Sequence, residues 1–299
     1  VTAFLVLFGC LGLGLLAGRG SRLPAGSATA IKWWVLYAAL PSLVLALVPH
    51  VKYERGSFFL VAAMWAVFAG AWVLFAALGR AVGWSRERVG ALVLVAGLGN
   101  TSFVGYPLIE ALHGEQGLTR AVVCDQLGSF PLLAAGGVVV GSIYSGGRPS
   151  VRAVVRRVVT FPAFLALLVA LLVHPLGGWP AAVESALLRV GQTLSPLALF
   201  AVGLELRVAL PADRAGALAA GLAWKLVAAP LVCWGLGWVL GARGLTLGVG
   251  VLEAGMAPMI SAAILASEYG LEPRLTSALI GIGILVSFAT VPLLNLWLG

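Results

Sequence analysis

The chain has 299 residues, 61% hydrophobic and 10% charged, with a formal net charge of +8. Soluble domains carry about 25% charged residues, so this composition excludes a soluble fold. The basic excess reads as membrane topology and not as nucleic-acid binding, because the basic residues sit in short connections between apolar runs.

Apolar stretches of about 20 residues, the length that crosses a bilayer, recur along the whole chain. In order they predict ten spans, at about 1–18, 29–48, 57–79, 88–112, 118–144, 158–176, 181–206, 212–240, 245–267 and 273–298. The first is read as a true helix and not a signal peptide, since Arg19 and Arg22 follow the apolar run instead of preceding it. Odd-numbered loops and their edges hold Arg19, Arg22, Lys32, Arg80, Arg86, Arg88, Arg148, Arg152, Arg156, Arg157, Arg207, Arg214 and Arg274. Even-numbered loops hold Lys52, Arg55, Arg120 and Arg243. The positive-inside rule then places the odd loops in the cytoplasm and both termini outside the cell membrane. The cysteines Cys10, Cys124 and Cys233 lie inside apolar runs and read as buried reduced thiols.

Two spans contain helix breakers. Leu98-Gly-Asn-Thr-Ser-Phe-Val-Gly-Tyr-Pro107 interrupts the fourth, and Glu253-Ala-Gly-Met-Ala-Pro258 the ninth. In lipid every backbone N–H and C=O needs a partner within the protein, so a break at membrane depth marks a cavity, a substrate or a facing helix. The breaks also sit in register. Pro41 and Pro107 are 66 residues apart and Pro196 and Pro258 are 62 apart, and Gly117-Leu118 and Gly270-Leu271 follow the two breaks. Five spans per half is odd, so a duplicated half must be inverted. This predicts repeats at 1–144 and 158–299 joined by a short cytoplasmic linker at 145–157.

The stretch Asn100-Thr-Ser-Phe-Val-Gly-Tyr-Pro-Leu-Ile-Glu-Ala-Leu-His-Gly114 resembles the NTxxxGxPL…G motif of the auxin efflux carrier family, which includes plant PIN-type carriers and bacterial malate or malonate permeases. Pro258, Glu268-Tyr-Gly270, Pro273 and Pro292 are similar to the end of that family's sequences. The resemblance implies an all-α fold like the bile-acid/sodium symporters. In such a fold, spans 1, 2, 6 and 7 form a scaffold and spans 3–5 and 8–10 a transport domain, with helices 4 and 9 crossing at Pro107 and Pro258. It also implies a homodimer and elevator-like movement.

Asn100 lies about twelve residues into its span, roughly 18 Å from the cytoplasmic face and near the midplane of a core about 30 Å thick. Half-helix N-termini at a crossing offer N–H donors and partial positive charge suited to a carboxylate. Asn100 reads as a substrate contact or an interhelical hydrogen bond. Thr101 and Ser102 donate to an anion or to the broken backbone, and Gly255, Met256 and Gln192 are further candidates for the substrate wall. Ionisable residues within spans are functional hypotheses by default. Asp125 and Glu253 are candidates for coupling to a proton or ion. Lys225 is a counter-ion to either one or to the substrate, and Arg189 snorkels outward. Glu110 and Glu205, near span ends, are expected to be solvated.

The three histidines are far apart at loop edges, and there is no GxxxxGK[ST] motif, so no metal, nucleotide or other cofactor is expected. The leading reading is a secondary transporter of a small organic anion. Sodium coupling or cation exchange on the same fold is the alternative, and a non-transporting ligand receptor is the alternative of another class.

Overall fold

The computed structural model describes residues 2–20, 23, 24, 26–50, 55–147, 151–206 and 212–299. Arg22, Lys52, Arg148 and Arg207, which entered the charge sorting, lie outside the described residues. The described chain is helical, and its only β-type pairing is an isolated antiparallel bridge between Gly99 and Pro258. Among the described residues six segments are long and apolar enough to cross a bilayer: Ser27–His50, Gly56–Val82, Thr101–Tyr144, Ala181–Glu205, Ala215–Val239 and Pro273–Leu298. Three shorter apolar helices accompany them, at Leu5–Arg19, Pro162–Leu176 and Gly244–Ala254.

The helices divide into two compact units. The first comprises residues 1–53, 102–126 and 159–206. It contains α1 (Thr2–Arg19), α2 (Ser27–Trp34) and α3 (Leu40–Leu47), with one wide π-type turn, Val35–Ala39, between the last two. The second comprises residues 54–101, 127–158 and 207–299. It opens with α4 (Arg55–Val82) and α5 (Arg86–Gly97).

The chain returns to the first unit through a π-type turn, Thr101–Gly105, and α6 (Tyr106–Val123). Gly114, at φ 62° and ψ −158°, breaks α6 into two pieces, a conformation open to glycine because it lacks Cβ. The break falls within the connection predicted between the spans ending at 112 and starting at 118, and Gly117 itself is helical and buried. A further π-type turn, Cys124–Ser129, carries the chain back into the second unit, where α7 (Gly137–Tyr144) and most of α8 (Val151–Val159) follow. The first unit is completed by α9 (Pro162–Val173), α10 (Ala181–Gly191) and α11 (Leu194–Glu205).

The second unit is completed by α12 (Ala215–Ala223), α13 (Ala229–Val239), α14 (Gly244–Ala254), α15 (Ile260–Glu268) and α16 (Pro273–Leu298).

Small residues set the packing of the first unit, as lipid-embedded helices require. A Cβ on Gly14 of α1 would stand 2.2 Å from the Phe200 carbonyl oxygen, and one on Gly203 of α11 would stand 2.4 Å from the Leu11 carbonyl oxygen. Backbone therefore meets backbone along the α1–α11 contact. Gly12, two residues earlier, faces open space. Glu205 is also better partnered than expected, since Lys32 Nζ lies 2.7 Å from its carboxylate.

In the second unit, α5 is buried on every side from Val89 to Gly97. It packs against α4, α7, α12, α15 and α16. A helix that is apolar all round belongs in such a position. Its polar start is fixed by Ser85, whose side chain accepts the Arg88 N–H at 3.2 Å. Arg88 in turn donates to Glu272 Oε1 through Nη2 at 3.0 Å, and Arg214 Nε donates to Glu272 Oε2 at 2.5 Å. One carboxylate thus holds the starts of α5, α12 and α16. The hydrogen bond from Glu272 raises the Arg214 pKa above its ordinary value, so this guanidinium stays charged. Glu272 itself adopts a left-handed backbone (φ 39°), which costs a non-glycine residue about 1–3 kcal/mol. Its two arginine partners hold it there.

Candidate functional site

The helix formed by α5 stops at Gly97, and Leu98 turns to extended backbone (φ −108°, ψ 132°). The helix formed by α14 stops at Ala254, and Met259 is likewise extended (φ −76°, ψ 122°) before α15 begins. The two interruptions satisfy one another. Asn100 N–H donates to the Ala257 carbonyl at 2.7 Å, and Met259 N–H donates to the Leu98 carbonyl at 3.1 Å. A short antiparallel ladder centred on Gly99 and Pro258 therefore replaces the helical bonds that each segment gives up, as burial away from water demands.

Pro258 is seated on α16. A Cβ on Gly283 would lie 2.3 Å from Pro258 Cδ and 2.8 Å from its Cγ. Gly283→Ala should accordingly destabilise the protein by about 1–3 kcal/mol, read as a lower unfolding midpoint in detergent. Gly235→Ala, inside α13 with nothing within 4 Å of the added carbon, should leave the midpoint unchanged or raise it, since alanine is the better helix former.

The ladder is surrounded by buried polar groups. Asn100 is 2% exposed, and Thr101 and Glu253 are fully buried. Lys225, in the π-type turn Trp224–Ala228 between α12 and α13, is 1% exposed. Its Nζ would stand 2.9 Å from a Cβ on Gly99, while the Glu253 carbonyl oxygen would stand 3.0 Å from the same carbon. Only glycine lets the ammonium come this close to the ladder. Lys225 and Glu253 interact electrostatically. The pairing has a physical reason. Glu253 occupies the last turn of α14, where the helix dipole is negative and an acid is disfavoured. The Lys225 ammonium offsets both the carboxylate and the dipole. Gly255 and the buried Met256 continue the turn, with Gly255 N–H bonded to the Val251 carbonyl at 3.1 Å.

The first unit holds a second polar cluster. Asp125 accepts from Ser102 Oγ at 2.9 Å (Oδ1), from Tyr106 OH at 2.9 Å (Oδ2) and from Gln126 Nε2 at 2.7 Å (Oδ2). Three of the roughly four lone-pair sites of the carboxylate are thereby filled. Ser102 and Tyr106 are four residues apart and share a helix face, which aims both hydroxyls at Asp125. Sequence reasoning missed Tyr106 as a site residue. The i, i+4 spacing from Ser102 is the signal that could have found it.

The other expected residues stand as follows. Pro107 is in the first turn of α6, in the first unit, and the ladder partner of Pro258 is Gly99. Gln192 caps the end of α10 and lines an open groove of about 410 Å³ with Glu184, Ser185, Leu188 and Arg189. Glu110 is not simply solvated. Its Oε2 accepts from Ser195 Oγ at 2.8 Å, joining α6 to α11. Sites expected as one group are thus divided. Asn100, Thr101, Lys225, Glu253, Gly255, Met256 and Pro258 belong to the second unit, and Ser102, Pro107, Asp125 and Gln192 to the first.

Residues 1–140 and 148–295 match the membrane transport protein family. The chain belongs to that family, the one its Asn100–Gly114 motif resembles. An uncharacterized transporter of Methanothermobacter thermautotrophicus is 32% identical over 219 residues, covering 70% of each chain. One from Methanocaldococcus jannaschii is 27% identical over 218 residues, covering 69% of this chain and 68% of its own. This membrane transport protein thus has two interrupted helices. Two half-helices end at the ladder, at Gly97 and Ala254, and two begin beyond it, at Thr101 and Ile260. The beginnings present N–H donors and partial positive charge, and the ends present carbonyls.

Proposed function

We propose that this membrane transport protein is a secondary transporter of a small organic anion, a carboxylate such as malate, malonate or an auxin-like acid. The observation that carries the reading is the buried ladder of Gly99 and Pro258, with Asn100 beside it and Lys225 against it. Lys225 and Glu253 offset each other, so the charge selectivity is assigned to the N-termini at Thr101 and Ile260 and to the Asn100 amide. The wall is completed by Gly255 and Met256. Asp125 is the coupling group for a proton, and Ser102 and Tyr106 are the hydroxyls that share it.

The architecture proposed for this activity is ten spans in two inverted five-helix repeats, with both termini outside the cell membrane. Spans 1, 2, 6 and 7 serve as the scaffold of a homodimer, and spans 3–5 and 8–10 carry the substrate by elevator-like movement. Cation exchange of the same fold is the less favoured reading. Paired carboxylates are the usual ion site there, whereas Glu253 has a lysine as its electrostatic partner.

The test is uptake into proteoliposomes of radiolabelled malate, malonate and indole acetate, with an imposed proton gradient. Uptake of one of these acids, unchanged when choline replaces Na⁺ and abolished by a protonophore, is the expected result. Uptake that follows Na⁺ at fixed pH would favour the sodium-coupled reading. Saturable binding without any flux would favour a receptor.

A further inference from the structure

Helix α8 has an apolar stripe that the protein leaves uncovered. Val151, Val155 and Val159 recur four residues apart and share one face. They are 78%, 52% and 48% exposed. Arg152 and Arg156, both exposed, repeat with the same spacing and follow the stripe about 100° round the helix. Between Ser145 and Phe161 the sequence has four arginines, at 148, 152, 156 and 157, and no acidic residue.

The position of α8 in the chain decides what meets these two faces. The apolar helix α9 begins at Pro162, three peptide steps after Val159. A peptide step spans at most about 3.6 Å, so the end of α8 lies within about 11 Å of the start of α9. On its other side six residues separate α8 from Tyr144, the last residue of α7. A short basic helix that leads directly into an apolar helix suits the level of the lipid headgroups. There an apolar stripe finds acyl chains and a flanking row of arginines finds phosphates. Within α8 the chain also passes from the second unit to the first, after Val158.

We propose that α8 is an interfacial helix that binds anionic phospholipid, with Val151, Val155 and Val159 among the upper acyl chains and Arg152 and Arg156 on the headgroup phosphates. The occupant is lipid and not protein because the segment is uniformly basic, and anionic lipid is the partner available at that depth.

The test is amide hydrogen exchange of the full chain in two kinds of vesicle. One is phosphatidylcholine alone, and the other is phosphatidylcholine mixed two to one with phosphatidylglycerol. Exchange across residues 152–159 should be slower in the mixed vesicles. Each arginine near an anionic surface contributes about a fivefold preference. Arg152→Gln with Arg156→Gln should therefore speed exchange in the mixed vesicles by up to about thirtyfold, while Arg152→Lys with Arg156→Lys keeps the protection. Equal, fast exchange in both vesicles overturns the proposal. Equal, slow exchange that the glutamine pair does not change also overturns it, and points to a protein surface over the stripe.

Discussion

Lys225→Met is expected to destabilise the protein by about 1–3 kcal/mol, because it removes the group that interacts electrostatically with the buried Glu253. The methionine fills much of the same volume, so the loss comes from charge and not from a cavity. What remains is the Glu253 side chain, fully buried in the last turn of α14, at the negative end of its own helix dipole and without the lysine. Adding Glu253→Gln should return most of the loss, because two neutral groups of similar size replace the pair. The measurement is the unfolding midpoint of the two single variants and the double variant in detergent, analysed as a double-mutant cycle. A double variant no more stable than Lys225→Met would show that Glu253 is not the group left stranded. Uptake by the double variant then separates structure from transport. A stable, inactive double variant would mean that these charges take part in the cycle as well as in the packing.

Asn100→Ala should reduce anion uptake by about tenfold to a hundredfold, the worth of one hydrogen bond to a charged group, and keep the backbone bond of the ladder. The separation is possible because the ladder uses the Asn100 backbone. Its N–H donates to the Ala257 carbonyl at 2.7 Å, and alanine keeps that bond. Asn100→Asp should be more severe for uptake, since it places a negative charge where an anion is to bind. The readout is the initial rate of uptake in proteoliposomes with equal amounts of folded protein, checked by the unfolding midpoint. Full activity in Asn100→Ala would remove the side chain from the site and leave only the backbone contribution of the break.

Some of this arrangement was legible before the fold was known. The breakers in the segment from Leu98 to Pro107 and from Glu253 to Pro258 stood out because lipid does not tolerate unpaired backbone, and both interruptions are present. The residue that meets Pro258 was not legible. Prolines are conspicuous, so Pro107 drew the assignment. Gly99 serves because its lack of a side chain admits both the Glu253 carbonyl and the Lys225 ammonium. Glycine leaves no trace of that role in a sequence with 39 glycines. The π-type turns were equally invisible. Thr101–Gly105, Cys124–Ser129 and Trp224–Ala228 hold Thr101, Ser102, Asp125 and Lys225, and each changes the helix register by an extra residue that a 3.6-residue period does not foresee.

Composition, apolar run length and the placement of breakers determined that this chain is a helical membrane protein with two interrupted segments. Those properties depend on local chemistry: the cost of charge in lipid and of backbone without partners. Tertiary structure decided which polar residues meet. Glu253 has a lysine partner 28 positions earlier in the chain, and Asp125 has Ser102, Tyr106 and Gln126. A buried charge takes the partner that the folded helices bring within reach, and separation along the chain carries almost no information about that.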